Sequence, residues 1–435
     1  MILGLYDKDA EIQMNAFNLI KSQIINSTSS MTSIPKPLKF LRLHYNPLKD
    51  FYNMNYENAG PSDFKHNLSD LLAVLVMVVS NTTDTVLGWV LKGNKKNLCD
   101  WGLEFIKSLS GNIGVEFLNR IENEQPYEDL YDLVNIMVPF LINSHSESEA
   151  IDLLLEVEKL EMVMDLVNLN NYKRICIYLL ASSNYAADSD ECKSILEIAF
   201  YIYTKFKEYP NALRVAMKLN NPIFIKQVFF GCTDKTLQLQ LAFMLAKQRV
   251  WIEDNEINND PDLQSIISNL KLSDYFKRLA KELDVIEPKH PEDVFKSHLE
   301  EKSSEAKLDS YKMNMAASIA SSFINAGFGT EALLSKKDSD WFSRNKEEGV
   351  LNLLAGLGLI NMWDIDCGPN ELEKYMGANE MDPNKRAGYN IGLGVISSGV
   401  RDENNLAYAI LSNQLNDKKY IIYNFSAFNY LYNLF

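Results

Sequence analysis

A glycine-rich segment near residue 330 has the residue types and spacing of a nucleotide-binding loop. Gly327-Phe-Gly-Thr-Glu-Ala332 fits the pattern G-x-G-x-x-A, and Glu347 follows about twenty residues later, where a ribose ligand would stand. The fingerprint requires a buried strand directly before the first glycine, because the strand–turn–helix geometry brings the backbone to the pyrophosphate. Residues 315–325 instead have an Ala- and Ser-rich helical pattern. We therefore expect a glycine turn that closes a helix, and no bound cofactor.

Two further motifs have part of the chemistry of a phosphate or metal site. Gly88-Trp-Val-Leu-Lys-Gly-Asn-Lys95 resembles a P-loop but has Asn94 where the lysine belongs, so the phosphate contact is missing and a turn is expected. Asp364 and Asp366 supply paired carboxylates, which can act as acid and base or hold a cation. An exposed aspartate-rich turn is the commoner use of such a pair. The sequence predicts no catalytic residue and no metal ligand here.

Histidine and cysteine residues give no stronger constellation. His290 and His298 flank a short helical pattern without a third ligand nearby, so surface positions are expected. Cys176 and His145 have the types of a nucleophile and its base, but nothing in the sequence brings them together. The five cysteines are scattered and never form a C-x-x-C pair, which is typical of reduced thiols in a cytoplasmic or nuclear protein.

Charge and hydropathy exclude two classes of partner. The 435 residues include 58 acidic and 43 basic side chains, for a net charge of −15, whereas nucleic-acid binding needs clustered Lys and Arg. The longest apolar run, Leu71–Val79, is far shorter than the ~20 residues of a membrane-spanning helix. The first residues show no basic segment followed by an apolar one, so no signal peptide is expected. We predict no nucleic acid and no membrane as partners.

The elements that must position any site repeat at a fixed spacing. Three similar stretches begin at residues 320, 356 and 392, which are 36 residues apart, and each carries small residues at its first and third positions. The glycines of the second and third stretches are Gly356, Gly358, Gly392 and Gly394. Such a period is typical of helix-hairpin solenoids, in which each repeat buries its apolar face against its neighbours. We expect these glycines to be structural positions at which helix backbones approach closely.

Helical periodicity extends over most of the chain, and no sustained two-residue alternation predicts strands. Ile12, Ala16, Ile20 and Ile24 predict one buried face of a first helix, and a helix over 98–109 is expected to end near Gly111. The fold class is therefore an all-α helical-hairpin solenoid. Proline and charge between residues 287 and 310 predict a boundary, giving an N-terminal helical region at 1–300, about three repeats at 311–415 and an aromatic tail at 416–435.

Four segments together resemble one family, the largest non-ATPase subunit of the base of the proteasome regulatory particle. They are Ser30–Leu41, Glu287–Leu299, Trp363–Asp366 and Ser397–Arg401. The resemblance runs from about residue 10 to about residue 415 and implies proteasome/cyclosome repeats of a toroid, following an N-terminal helical region. Such repeats alone are less specific, because a sister base subunit has them too.

The resemblance implies a scaffold without catalytic activity or cofactor. Family members dock on proteasome ATPase subunits through their coiled coils, and they recruit ubiquitin chains, shuttle proteins with ubiquitin-like domains and a deubiquitinase. Those recruiting surfaces belong to later repeats, so no binding residue is carried over to this sequence. The tail from Tyr420 has no counterpart in the family, and we expect a transcript reading through it to continue the repeats. The alternatives are the sister base subunit, another solenoid adaptor, or a nucleotide-binding enzyme using the Gly327 loop.

Overall fold

The computed structural model of the chain describes residues 1–27, 36–56, 60, 62–79, 83–252, 257, 259–289, 310–331, 333, 341–376, 382–402 and 406–415. Every regular element within these ranges is a helix, which confirms the all-α prediction. The chain forms two compact units, Met1–Asn221 and Pro222–Phe435. The predicted boundary between residues 300 and 311, the two histidines at 290 and 298, and the tail at 416–435 lie outside the described residues.

The α-helices of the first unit are 4–20 residues long. Short 3-10 helices lie at Ile2–Tyr6, Arg42–His44, Lys95–Trp101 and Leu160–Met162. The α-helices are α1 (Ala10–Ser27), α2 (Lys36–Leu41), α3 (Tyr45–Asn55), α4 (Asp63–Val76), α5 (Val86–Val90), α6 (Leu103–Glu122), α7 (Glu128–Asn143), α8 (Glu147–Glu156), α9 (Val163–Leu166), α10 (Tyr172–Ser182), α11 (Ser189–Lys205) and α12 (Tyr209–Lys218).

Helix α4 lies at the centre of the N-terminal helices. Ser62 caps it, since its hydroxyl accepts the Lys65 N–H at 3.2 Å, satisfying one of the free donors of the first turn. The helix then buries nearly every side chain from Leu68 to Val76. A fully buried leucine contributes about 1.5–3 kcal/mol, an upper value because the unfolded chain is already partly collapsed. Helices α1, α3 and α5 pack around it.

Two expectations about these helices are wrong in detail. Ile12 is 46% exposed, and the buried stripe of α1 starts at Gln13 because spacings of three and four, rather than four throughout, follow one helix face. Helix α6 does not end near Gly111 but continues to Glu122. A glycine costs a helix only about 1 kcal/mol, and the buried stripe on both sides of Gly111 outweighs that.

The second unit contains the repeats and the helices that precede them in the chain. Its helices are α13 (Pro222–Gly231), α14 (Lys235–Gln248), α15 (Pro261–Ile267), α16 (Leu272–Glu282), α17 (Ser310–Ile324), α18 (Trp341–Arg344), α19 (Glu348–Ile360), α20 (Gly368–Glu373), α21 (Pro383–Ile396) and α22 (Leu406–Leu415). Along the described ranges, no helix is both long and apolar enough to cross a bilayer.

Candidate protein-binding surface

The 36-residue period appears in the backbone of the second unit. Helices α17, α19 and α21 end at Ile324, Ile360 and Ile396, which share one register position. Three residues later, Gly327, Trp363 and Gly399 all have positive φ, at 76°, 70° and 73°. The left-handed turn therefore recurs in each repeat. Trp363 adopts this conformation although it costs a residue other than glycine roughly 1–2 kcal/mol.

Hydrogen bonds join each repeat to the next at these turns. The Gly327 N–H donates to the Leu359 carbonyl at 3.0 Å, and the Trp363 N–H donates to the Ile396 carbonyl at 3.0 Å. Carbonyl groups at the end of a helix have no partner within that helix. The turn of the preceding repeat supplies partners for them, so the repeats stack in a defined register.

The glycines of the repeats lie where helices touch. A Cβ atom at Gly358 would lie 2.5 Å from the Gly392 carbonyl oxygen, and one at Gly392 would lie 2.8 Å from the Leu354 oxygen. One at Gly356 would lie 2.9 Å from the Cβ of Ser322 and would overlap its hydroxyl. Gly394 is buried in the same helix, α21. Backbone-to-backbone contact at these distances leaves no space for a side chain.

Helix α16 packs against the first and second of these turns. The Phe276 ring lies 5.4 Å from the Trp363 ring and 5.8 Å from the Phe328 ring, measured between centroids. Next to it, the Lys277 ammonium forms a 2.7 Å ion pair with Asp364. Burial opposes ionisation of Asp364, but hydrogen bonds from Lys277 and the Cys367 N–H outweigh it and hold the pKa of Asp364 below its usual value.

A second set of contacts lies one repeat further on. The Asn269 amide donates to the Gly399 carbonyl at 2.8 Å and to the Ala246 carbonyl at 3.2 Å. The Arg401 N–H donates to the Ser268 carbonyl at 2.9 Å, and its guanidinium lies 5.3 Å from the centroid of Trp251. The residues that precede the repeats thus contact all three repeat turns.

A row of apolar side chains along α16 and at its C-terminal end is exposed. Tyr275, Leu279 and Leu283 recur every four residues and are 38%, 57% and 63% exposed. Phe243 of α14 is 46% exposed, and its ring packs edge-on against Tyr275 with centroids 5.9 Å apart. We call these four residues the α14–α16 stripe. Apolar residues spaced one helical turn apart can receive the apolar face of another helix, and a contiguous exposed patch of this kind marks an interaction site.

The Gly327 loop does not have the geometry of a nucleotide site. It follows helix α17 rather than a strand, and the amides of both its glycines are occupied, since Gly327 and Gly329 donate to the carbonyls of Leu359 and Ile360. A Cβ atom at Gly327 would lie 2.9 Å from the Phe276 ring, so side chains already fill the space around the loop. The loop is the turn that closes a repeat helix.

The remaining candidate motifs are also structural. In the segment at 88–95, Val86–Val90 is a short helix and the Asn94 N–H donates to the buried Asp70 carboxylate at 3.0 Å. Asp364 is held by Lys277, and Asp366 is exposed. Within the described ranges, no group of three or more His, Cys, Asp and Glu side chains is arranged to hold a metal ion.

The Cys176 thiol is unsuited to nucleophilic chemistry. Its side chain is fully buried, and burial raises the pKa of the thiol to about 12, although the Tyr203 hydroxyl opposes this. A thiol with that pKa remains protonated at neutral pH. The His145 imidazole, which would have to act as the base for this thiol, instead lies 3.4 Å from the Arg174 guanidinium.

Sequence reasoning missed the partners that hold the repeats. Phe276 and Lys277 belong to no sequence motif. Asp364, the partner of Lys277, lies 87 residues further along the chain. The only available signal was the column of glycines at 327 and 399, which predicts a left-handed turn at residue 363 as well. Glycines that allow backbone contact and turns that recur every 36 residues define this protein as a helical-repeat protein.

Comparison with known proteins specifies the family. Residues 1–300 match the family described as the RPN1 N-terminal domain. The chain is 40% identical over 412 residues to the 26S proteasome non-ATPase regulatory subunit 2 of Dictyostelium discoideum, covering 94% of this chain and 45% of that protein. It is 36% identical over 409 residues to the 26S proteasome regulatory subunit rpn1 of Schizosaccharomyces pombe, covering 93% of this chain and 45% of that protein.

A more distant relative matches over a similar share of the chain. The 26S proteasome regulatory subunit RPN1 of Encephalitozoon cuniculi is 23% identical over 422 residues, covering 94% of this chain and 49% of that protein. The chain belongs to the RPN1 family of proteasome regulatory subunits. It spans slightly less than half the length of the curated relatives that it matches.

Proposed function

We propose that the chain acts as a non-catalytic scaffold in the base of the 26S proteasome regulatory particle, in the cytoplasm and nucleus. The observation that carries this proposal is the identity of 34–40% along more than 90% of the chain to relatives named as proteasome regulatory subunits. In this function the protein holds other subunits by docking, and it contributes surface rather than a reacting group.

The chemistry of the candidate sites supports a role without catalysis. Cys176 is buried and protonated, Asp364 is neutralised by Lys277, and the amides of the Gly327 loop bind repeat carbonyls. Each of these three groups is therefore buried or already held by a structural partner. Perturbed groups at catalytic sites usually lie in a cleft and face a substrate, which these groups do not.

The α14–α16 stripe is the surface that we assign to docking on the ATPase ring. Tyr275, Leu279 and Leu283 present an apolar row along one helix, with Phe243 beside it. A coiled-coil helix of an ATPase subunit offers a matching row at spacings of three and four residues. Ubiquitin chains, ubiquitin-like shuttle proteins and a deubiquitinase are further proposed partners of the full-length family, and no residue of this chain is assigned to them.

Affinity purification of the tagged chain at endogenous level, with mass spectrometry of its partners, tests the proposal. Proteasome ATPase subunits should co-purify with the unaltered chain. Leu279→Lys with Leu283→Lys should release them, because two charges in an apolar contact must be desolvated. Leu169→Lys is the matched control, since Leu169 is 77% exposed in the first unit, and it should retain them.

The outcomes separate the function from the surface. If no proteasome subunit co-purifies with the unaltered chain, the proposed function is wrong. If proteasome subunits co-purify equally with the unaltered chain and with the double variant, the function stands and the stripe is not the docking surface.

A further inference from the structure

A surface cavity lies within the first unit, between residues of helix α7 and of the segment 159–165. It has a volume of about 360 Å³, which is within the range of about 300–1,000 Å³ found for ligand pockets. Helix α7 supplies one wall with Tyr131, Val134 and Asn135, which lie on one helix face because they are three and four residues apart. The opposite wall is the segment from Lys159 to Asp165.

The second wall carries two carboxylates without a partner. Glu161 and Asp165 are four residues apart in consecutive short helices, and both are exposed. In the part of the chain that the structure describes, neither carboxylate forms a hydrogen bond or an ion pair. By contrast, Asp129 of helix α7 pairs with Arg120 at 2.6 Å.

The aromatic wall already attracts a cation of the chain itself. The Lys159 ammonium lies 5.0 Å from the centroid of the Tyr131 ring, within the distance at which a cation interacts with the negative face of the ring. Burial, and then the neighbouring Tyr127, Glu158 and Glu128, raise the pKa of the Tyr131 hydroxyl, and the two glutamates place negative charge near the ring.

We propose that this cavity binds an arginine side chain of a protein partner. The planar guanidinium would stack on Tyr131 while its N–H groups pair with Glu161 and Asp165, which matches the preference of arginine for aromatic faces and carboxylates. Arginine fits better than lysine because it offers a flat face and several donors at once. Lys159 occupies the ring face in the free protein and is displaced toward solvent when the partner binds.

Phe117 and Tyr127 hold Tyr131 in place for this role. Their ring centroids lie 5.8 Å and 5.4 Å from that of Tyr131, so both rings pack against it. A rigid aromatic wall loses little conformational freedom on binding, which favours recognition of a single side chain. The cavity would therefore bind one arginine side chain as part of a larger protein–protein interface, rather than a free metabolite.

The test uses the full chain and the peptide acetyl-Gly-Arg-Gly-amide, titrated by saturation-transfer NMR at fixed ionic strength. The same peptide with citrulline in place of arginine is the control probe, since citrulline has nearly the same shape but no charge. We expect the arginine peptide to bind with a Kd on the order of 1 mM and the citrulline peptide to show no saturable binding. Equal binding of the two peptides, no binding of the arginine peptide, or binding of acetyl-Gly-Glu-Gly-amide instead overturns the proposal.

Variants then locate the site. Glu161→Gln with Asp165→Asn should weaken binding of the arginine peptide about threefold to tenfold, since two exposed ion pairs are lost. Lys159→Met should strengthen it, because the competing cation is removed. Glu282→Gln with Asp284→Asn removes the same charge from exposed positions of the second unit and should leave binding unchanged. Equal affinity in the Glu161/Asp165 variant and the unaltered chain would place the peptide elsewhere and overturn the assignment.

Discussion

The contact between Gly358 and Gly392 predicts a large effect from a single methyl group. In Gly358→Ala, the new Cβ would lie 2.5 Å from the carbonyl oxygen and 2.7 Å from the carbonyl carbon of Gly392, whereas ordinary contacts begin at 3.4 Å. Helices α19 and α21 must then separate by about 1 Å, because the clash is with backbone that has no rotamer to change.

The magnitude follows from two opposing effects. Overpacking of this kind costs about 1–3 kcal/mol, and a backbone clash places Gly358→Ala at the upper end. Alanine stabilises a helix by about 1 kcal/mol relative to glycine, which offsets part of that cost. We therefore expect the free energy of unfolding to fall by about 2 kcal/mol, which lowers the Tm of a unit of this size by roughly 4–8 °C.

Gly111→Ala is the matched control for helix propensity. Gly111 is an exposed glycine inside helix α6, with nothing within 4 Å of the position of its Cβ. This variant should gain up to about 1 kcal/mol, so its Tm should rise. Both variants of the full chain are compared with the unaltered chain by far-ultraviolet circular dichroism during heating and in urea. If Gly358→Ala melts at or above the temperature of the unaltered chain, the backbone contact at this position is refuted.

Three further predictions concern titratable groups. Burial raises the pKa of Asp70 to about 7, although the Asn94 N–H opposes this, so this carboxylate destabilises the fold increasingly as pH rises from about 4 through 7. Asp70→Asn should therefore be more stable than the unaltered chain at about pH 8, and urea unfolding should show this advantage shrinking by about 1–2 kcal/mol toward pH 5. Under native conditions, maleimide should label the exposed Cys367 and should reach Cys176 only after unfolding, as peptide mass spectrometry would show. Lys277→Met should lower the free energy of unfolding by about 1–2 kcal/mol, because it leaves a partly buried carboxylate unpaired.

Each of these predictions has an outcome that contradicts it. A pH-independent difference between Asp70→Asn and the unaltered chain would mean that the Asp70 carboxyl group is ionised in the fold like an exposed one. Rapid native labelling of Cys176 would contradict its burial. Lys374→Met is the control for Lys277→Met, because the ion pair of Lys374 with Glu371 is largely exposed, at 61% and 44%. Equal losses of stability in the two variants would show that the ion pair of Lys277 with Asp364 stabilises the fold no more than an exposed pair does.

The sequence contained the period of the repeats but not the groups that hold them. Residues at 324, 360 and 396 were aligned by their spacing alone, and each ends a helix in the structure. Phe276 could not be selected in this way, since it belongs to no repeat and finds Trp363 only after the chain has folded. The α14–α16 stripe was missed for a related reason. A helix with apolar residues on its surface looks in sequence like one that buries them.

What the sequence determined by itself is local. The sequence alone shows the helix periodicity, the 36-residue spacing and the small residues at 356, 358 and 392. Each of these features depends on residues within a few helical turns or on direct repetition. The tertiary structure alone decided which face of α16 is buried and that Glu161 and Asp165 share a cavity with Tyr131. Those outcomes depend on which segments that are distant in the sequence pack together. Such contacts do not produce a regular spacing of residues that a single sequence would reveal.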